Sequence, residues 1–211
     1  MIKLGLTGGI ASGKSAVGKM FVKFGAHLIQ ADAIAHWLME PGRPVYEEIV
    51  RSFGRPILNP DGTINRGKLA EAAFGGPDSS AQPRVQELNA IVHPAVIRHE
   101  NEWMADIGAR DPDAIAIVEA ALILEAHTAD RFDHLIVVTC EPEQRVQRFA
   151  MRQGISEGAA QAEVARRMAA QIPDDEKVKA ADFVIDNSGS LDSTEDQVRE
   201  ILFALRGTPT Q

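Results

Sequence analysis

The chain has 211 residues, 45% of them hydrophobic and 25% charged, with a formal net charge of −8. This is one to two domains of ordinary globular composition, long enough to bury a substantial core, and it argues against a disordered or low-complexity protein. The acidic balance disfavours nucleic-acid partners, and the lone Cys140 excludes an internal disulfide and any multi-cysteine zinc or iron–sulfur site. No stretch approaches the ~20 uninterrupted apolar residues of a membrane helix, and the N-terminus lacks a basic, cleavable leader. The expectation is a cytoplasmic protein with no membrane or nucleic-acid partner, a monomer or small homo-oligomer.

The apolar run Ile2 to Leu6 predicts a strand that leads directly into Gly8-Gly9-Ile10-Ala11-Ser12-Gly13-Lys14-Ser15. From Lys14 onward Val17, Met20, Phe21 and Phe24 recur at helical spacing until Gly25 ends the run. A G-x-x-x-x-G-K-[ST] sequence between a strand and a helix is a phosphate-cradling loop. Its glycines let the backbone wrap closely, and its N–H groups converge on phosphate oxygens at the positive end of the helix. The nucleotide-binding set is therefore Gly9, Ile10, Ala11, Ser12, Gly13, Lys14, Ser15 and Ala16. Lys14 is expected to reach the terminal phosphates and the Ser15 hydroxyl to ligate Mg²⁺.

Ala26 to Gln30 reads as a second strand, followed by Asp32 and a helical pattern through Ile34, Trp37 and Leu38. An acid at a strand end beside a phosphate loop has either a chemical role or the role of a helix N-cap. Residues 41–112 alternate helical patterns with turn signals, among them Pro60-Asp61-Gly62 and Gly75-Gly76-Pro77, and contain no convincing strand. They form a largely helical insertion expected to carry the substrate site. In this segment Pro94 is expected to hold His93 in an extended conformation, either lining the acceptor site or packed and hydrogen-bonded; Phe74 and Trp103 here, and Trp37 before it, are expected in the core in preference to stacking on adenine.

Strands resume at Ala114–Val118, Leu135–Thr139 and Phe183–Ile185. Glu119, ending the third strand, stands either as a Walker-B-like acid or as a capping acid. Five short apolar strands alternating with helices give the fold class: a doubly wound, five-stranded parallel α/β sheet. Residues 142–179 are polar and helical, with Arg145, Arg148, Arg152, Arg166 and Arg167 at spacings that share helix faces. They read as a lid that clamps phosphates, against the alternative of a solvated helix pair. Ser193 to Leu205 is a closing helix, and Arg206 to Gln211 is expected to fray.

The loop alone does not separate a kinase from a GTPase switch. None of the five asparagines is followed by lysine, so the base-reading N-K-x-D element is missing, and Asp186-Asn187-Ser188-Gly189 lies too late in the chain for a switch. An arginine-rich lid before the last strand favours a kinase that must exclude water from a transferable phosphoryl group.

The whole set of ordered motifs resembles the dephospho-CoA kinase family. The matching residues are Leu6-Thr7 with the loop; Ala31-Asp32 with Ile34-Ala35; Phe53-Gly54, Asn59-Pro60-Asp61-Gly62 and Arg66; Leu88-Asn89 with His93-Pro94; and Ala181-Asp182 with Val184-Ile185-Asp186-Asn187-Ser188-Gly189.

The resemblance implies a P-loop kinase that uses ATP and Mg²⁺ to phosphorylate the ribose 3'-hydroxyl of dephospho-CoA, giving CoA and ADP in the last step of CoA biosynthesis. It implies a nucleotide core (1–32, 113–141, 180–211), a helical CoA domain (33–112) and a helical lid (142–179). Asp32 matches the acid that takes the acceptor proton, and Arg148 and Arg152 match lid arginines. Asn187 matches an asparagine near the adenine. Lys14, Asp32 and Arg148 are thus the catalytic set, with His93 and Leu122 joining Asp32 at the acceptor. Departures from the family pattern are Gln30 in place of an acid, His36 in place of arginine, Glu119 to Glu125 without the usual proline, and a longer lid around 154–161.

Overall fold

Leu4 and Leu6 are fully buried on one face of the first strand, β1 (Ile2–Gly8), while Gly5 between them faces the other way. A Cβ on Gly5 would stand 2.8 Å from the Phe132 ring, so both faces of β1 are covered. The computed structural model describes residues 1–75 and 83–207. Gly76 and Pro77 of the expected turn, and residues 208–211 of the expected frayed tail, lie outside them.

In chain order β1 is followed by α1 (Lys14–Lys23), β2 (His27–Gln30), α2 (Ala31–Leu38), α3 (Pro44–Phe53), α4 (Arg66–Phe74) and α5 (Val85–Arg110). Then come β3 (Ile115–Glu119), β4 (His134–Thr139), α6 (Pro142–Gln153), α7 (Glu157–Ala169), α8 (Asp174–Lys179), β5 (Phe183–Asp186) and α9 (Leu191–Gly207). The strands form one five-stranded sheet in the order β2-β3-β1-β4-β5. β1 runs parallel to β3 and β4, and β4 parallel to β5.

The alternation along β4 shows how the sheet is wrapped. Ile136 and Val138 join Leu4, Leu6, Ile117 and Ile185 under Val17 and Phe21 of α1 and Val198, Leu202 and Leu205 of α9. Leu135 and Val137 point oppositely and pack with Ile123 and Phe132. Each of these fully buried aliphatic side chains contributes about 1.5–3 kcal/mol relative to exposure. The doubly wound α/β expectation therefore holds at the level of individual side chains.

Two compact units are distinguished, Met1–Ile29 with Ile107–Gln211 and Gln30–Asp106. The second unit contains the only β-pairing outside the named strands among the described residues, a Leu58–Ile64 bridge. There the Asn59–Gly62 motif builds a turn. Asn59 Nδ2 donates to Thr63 Oγ1 (2.9 Å), Thr63 Oγ1 donates to Asp61 Oδ1 (2.6 Å), and Asn65 Oδ1 caps α4 at Lys68 N (3.0 Å).

Several sequence expectations are corrected. The N-cap of α2 is Gln30, which makes no side-chain capping bond, so Asp32 sits inside the first turn and is not the cap. His93 is helical, because α5 continues through Pro94; the missing N–H forfeits one bond, but Val92 and Val96 on either side are buried and hold the helix. Phe74 is 62% exposed, since α4 buries the Leu69 and Ala73 face and Phe74 is rotated off it. Trp37 is 38% exposed, its ring covered by the Arg43 guanidinium at 3.3 Å and neighboured by His99 at 5.0 Å, and Trp103 is half-buried. The segment expected as a lid holds three helices, α6 to α8. α9 starts two residues before the expected Ser193, where the Ser190 hydroxyl accepts from Ser193 N (3.1 Å), and remains helical to Gly207.

Candidate active site

The connections from β1 lead first to one side of it and then to the other. Its C-terminal end is thus where loops part and where α/β sheets bind ligands. Gly8 to Gly13 occupy that end. Gly13, the N-cap of α1, has φ +98° and ψ 18°, and Ala11 has φ +54°, a left-handed conformation that side chains rarely adopt outside functional sites. A Cβ on Gly8 would collide with Val138 O and one on Gly13 with Asn187 Nδ2, so both positions exclude any side chain.

Lys14 Nζ donates to Gly8 O (2.8 Å) and Gly9 O (3.2 Å), placing its ammonium at the β1 end of the loop. Ser15 Oγ donates to Glu119 Oε1 at 2.6 Å. Glu119, opposite Leu6 in the β1–β3 register, is therefore directed at the start of α1.

The arginine-bearing helices pack on the loop itself. Ile10 is buried among Phe149, Ala150, Ala160 and Val164, from α6 and α7. Arg148 Nη1 donates to Ser12 O (3.4 Å) and Nη2 to Asn187 O (2.8 Å). The buried Asn187 side chain donates to Ser12 O (2.8 Å) and accepts from Thr194 Oγ1 (3.0 Å). Arg145 is 2% exposed. Its Nε and Nη2 donate to Cys140 O (3.4 and 3.5 Å), Nη2 also pairs with Asp174, and Nη1 has no hydrogen-bond partner. Cys140 lies beneath the loop, its Sγ 3.8 Å from Ala11 O, and burial pushes its thiol pKa up.

A second buried ion pair ties the end of α8 to the segment after β3. Lys177, fully buried, holds Glu125 Oε1 at 2.9 Å, and the same oxygen accepts from Ile172 N at 3.0 Å.

The structure thus brings together Gly9 to Ser15, Arg148 and Asn187. Arg152 is exposed, its guanidinium 5.5 Å from the Phe149 ring centre. Arg166 and Arg167 both bond Glu163. Asp32 and His93 belong to the second unit and are exposed there, and Leu122 is exposed in the segment after β3. Sequence reasoning missed the Ser15–Glu119 pair and the burial of Arg145 with Asp174. The only signal for Arg145 was its i, i+3 spacing from Arg148.

A hydroxyl and a carboxylate 2.6 Å apart at a helix start are hard oxygen donors that suit Mg²⁺. No cluster of three or more His, Cys, Asp or Glu forms an all-protein metal cage among the described residues. The Ser15–Glu119 pair fits an ion held by one or two side chains plus substrate phosphates.

The dephospho-CoA kinase family profile matches residues 2–193. A dephospho-CoA kinase of Corynebacterium jeikeium is 39% identical over 198 residues, covering 94% of this chain and 96% of its own. One of Geobacter metallireducens is 41% identical over 198 residues, covering 94% of each. Among solved structures, a Thermus thermophilus protein superposes with a TM-score of 0.77 at 32% identity, covering 98% of both chains. The loop, the sheet order and these matches lead to one conclusion: the chain belongs to the dephospho-CoA kinase family.

Proposed function

We propose that the protein transfers the γ-phosphoryl group of ATP to the ribose 3'-hydroxyl of dephospho-CoA, giving CoA and ADP. The observation that carries this is the loop itself: Lys14 held at Gly8 and Gly9, and Ser15 paired with Glu119, in a chain of this family. Phosphoryl transfer asks for positioning and for neutralisation of charge spread over the equatorial oxygens. Lys14 supplies charge at the terminal phosphates, Arg148 and Arg152 of the lid supply it elsewhere along the ATP phosphate chain, and Asn187 lies on the adenine side. Ser15, with Glu119, would hold Mg²⁺, which supplies neutralisation of the β- and γ-oxygens. The acceptor oxygen bonds to the γ-phosphorus as the bond to the bridging oxygen breaks, and the hydroxyl proton passes to the Asp32 carboxylate. His93 and Leu122 line the acceptor.

In this reading residues 1–32, 113–141 and 180–211 form the nucleotide core, 33–112 the CoA domain and 142–179 the lid. ATP consumption and one free thiol fit a reducing cytoplasm. No helix among the described residues is long and apolar enough to cross a membrane.

The test is an ADP-release assay with Mg-ATP across dephospho-CoA, AMP, CMP, uridine and shikimate, with phosphorus NMR of the product. Dephospho-CoA is expected to be by far the best acceptor, with the new phosphate on the 3'-oxygen; a nucleoside monophosphate as the better acceptor would overturn the reading. Asp32→Asn should abolish most turnover without lowering the melting temperature, and rescue by excess Mg²⁺ would make Asp32 a metal-side residue instead of the base.

A further inference from the structure

Among the described residues Arg145 is the one buried guanidinium at the loop whose bonding is incomplete. Its Nε and Nη2 are engaged by Cys140 O and Asp174, while Nη1 is shielded from solvent with no acceptor. A buried donor left without an acceptor is unfavourable, more so on a charged group, and it persists where a ligand completes it. The position of the group indicates which ligand. A Cβ on Gly9 would collide with Arg145 Nη1 and stand 3.0 Å from Asp174 Oδ1. The guanidinium and its carboxylate partner therefore lie against the bare Cα of Gly9, and any side chain there would displace them.

Lys14 Nζ is bonded to the carbonyls of Gly8 and Gly9. Two cations thus converge on the same end of the loop, from α1 and from α6. The opposite end, at Ser12 and Gly13, is taken by Arg148 and Asn187. In a loop that wraps a chain of phosphates, the end marked by the lysine receives the terminal phosphate.

We propose that Arg145 is a catalytic residue whose Nη1 binds the terminal phosphate of the nucleotide beside Gly9, and that Asp174 is its positioning residue. This rests on reading Gly8 to Ser15 as an ATP loop, and not on the identity of the acceptor. In the nucleotide-free protein Asp174 offsets the repulsion between two cations at Gly9; with ATP bound, the phosphate oxygens take that role at Nη1. Burial and the bonds to Asp174 and Cys140 O hold the guanidinium beside Gly9 before the substrate arrives, which limits its reorganisation to uncovering Nη1 as the phosphate seats. Arginine suits the place because it stays protonated when buried and its planar fork serves a carboxylate and a phosphate at once.

The test compares wild type, Arg145→Gln, Arg145→Lys and Asp174→Asn. Dissociation constants for Mg-ADP and for the β,γ-imido analogue of ATP are measured by calorimetry, turnover with Mg-ATP and dephospho-CoA by ADP release, and folding by thermal melting. Arg145→Gln should weaken the triphosphate analogue at least ~10-fold more than ADP and lower kcat by about 10²- to 10³-fold, as expected for loss of one preorganised donor. Arg145→Lys, with the charge but not the fork, should recover only part of each loss, and added guanidinium should partly rescue Arg145→Gln. Asp174→Asn should lower kcat by about tenfold with a smaller loss of triphosphate preference.

Equal weakening of both nucleotides, or a kcat within threefold of wild type in a folded Arg145 variant, would make Arg145 a strap between α6 and α8 and overturn the proposal. If Arg145→Gln does not fold, the triphosphate preference of Arg145→Lys decides by the same criterion. Wild type that binds neither nucleotide would remove the loop reading and this inference with it. Nucleotide binding without transfer to dephospho-CoA would remove only the acceptor assignment.

Discussion

Ser15 Oγ donates to Glu119 Oε1 across 2.6 Å, joining the first turn of α1 to the last residue of β3. If Ser15 holds Mg²⁺ through a hydroxyl lone pair, its O–H would still donate to Glu119, so the carboxylate would orient the ligand whether or not it touches the ion. Glu119→Gln keeps the shape but accepts less strongly. The Mg²⁺ concentration giving half-maximal turnover should rise about tenfold, with kcat at saturating metal falling less, in line with the cost of altering an outer-sphere partner. An Mg²⁺ titration at fixed ATP checks this, and an unchanged midpoint would detach Glu119 from the metal.

Lys14→Ala removes two bonds to loop carbonyls, each worth about 1 kcal/mol net at a part-buried site. The fold should survive, with the melting temperature falling by about 4–8 °C at roughly 2–4 °C per kcal/mol. Turnover should fall at least ~10²-fold, because a preorganised charge on the transferring group is worth a few kcal/mol. Steady-state kinetics beside a thermal melt separates the two quantities, and near-normal turnover would refute the loop assignment.

Asn187 ties three segments together: its side chain donates to Ser12 O and accepts from Thr194 Oγ1, and its N–H donates to Thr139 O. Asn187→Ala removes two buried side-chain bonds, while Ser12 O keeps Arg148 Nη1 (3.4 Å) and Thr194 Oγ1 keeps Ser190 O (3.2 Å), and should cost about 1–3 kcal/mol. For a chain of this size each kcal/mol lowers the melting temperature by roughly 2–4 °C. Differential scanning calorimetry gives the stability loss, and an accompanying rise in the KM for ATP is expected because the loop relaxes at Gly13. A variant as stable as wild type would show that this node is not a structural tie.

How much of this could be read from the chain depended on whether the information was local. The loop was legible because glycine spacing, Lys14 and Ser15 are contiguous, and the strands because their apolar runs are short and β-branched. The cap alternative for Asp32 fell two residues past the true cap, Gln30, since capping preference does not register where a helix starts when the cap makes no side-chain capping bond. His93 was misjudged because a local proline effect is outweighed by apolar burial along a 26-residue helix. Arg145 and Asp174 stand 29 residues apart, and Ser15 and Glu119 stand 104 apart. Nothing in either neighbourhood signals its partner; only the packing of α6 and α8, or the β1–β3 register, brings them together.

The arginines of α6 and α7 divide by partner. Glu163 accepts from both Arg166 and Arg167, and these bonds, the one from Arg166 first, lower its carboxyl from the ordinary 4.5 to about 2. Because the folded carboxyl is depressed, its stabilisation of α7 is complete above pH 4.5 and is lost as the pH falls from there through about 2. Carbon-13 NMR of the Glu163 carboxyl should give a midpoint near 2 in wild type, moving back toward 4.5 when Arg166 and Arg167 are both changed to Ala. Since these two guanidiniums are already engaged on an exposed face, that double variant should also keep turnover within a few-fold of wild type. A midpoint that stays near 2 in the variant would mean another group depresses Glu163.

The single sulfhydryl sits under the phosphate loop, 7% exposed, with its Sγ 3.8 Å from Ala11 O and its ionisation disfavoured by burial. A thiol in that state is a poor nucleophile, and a reagent reaches it only when the loop and the start of α6 part. The protein therefore carries one chemical clock on the opening of its own nucleotide site. The rate at which Cys140 is alkylated counts the moments when the cradle is undone, and any occupant that draws the loop closed slows that clock.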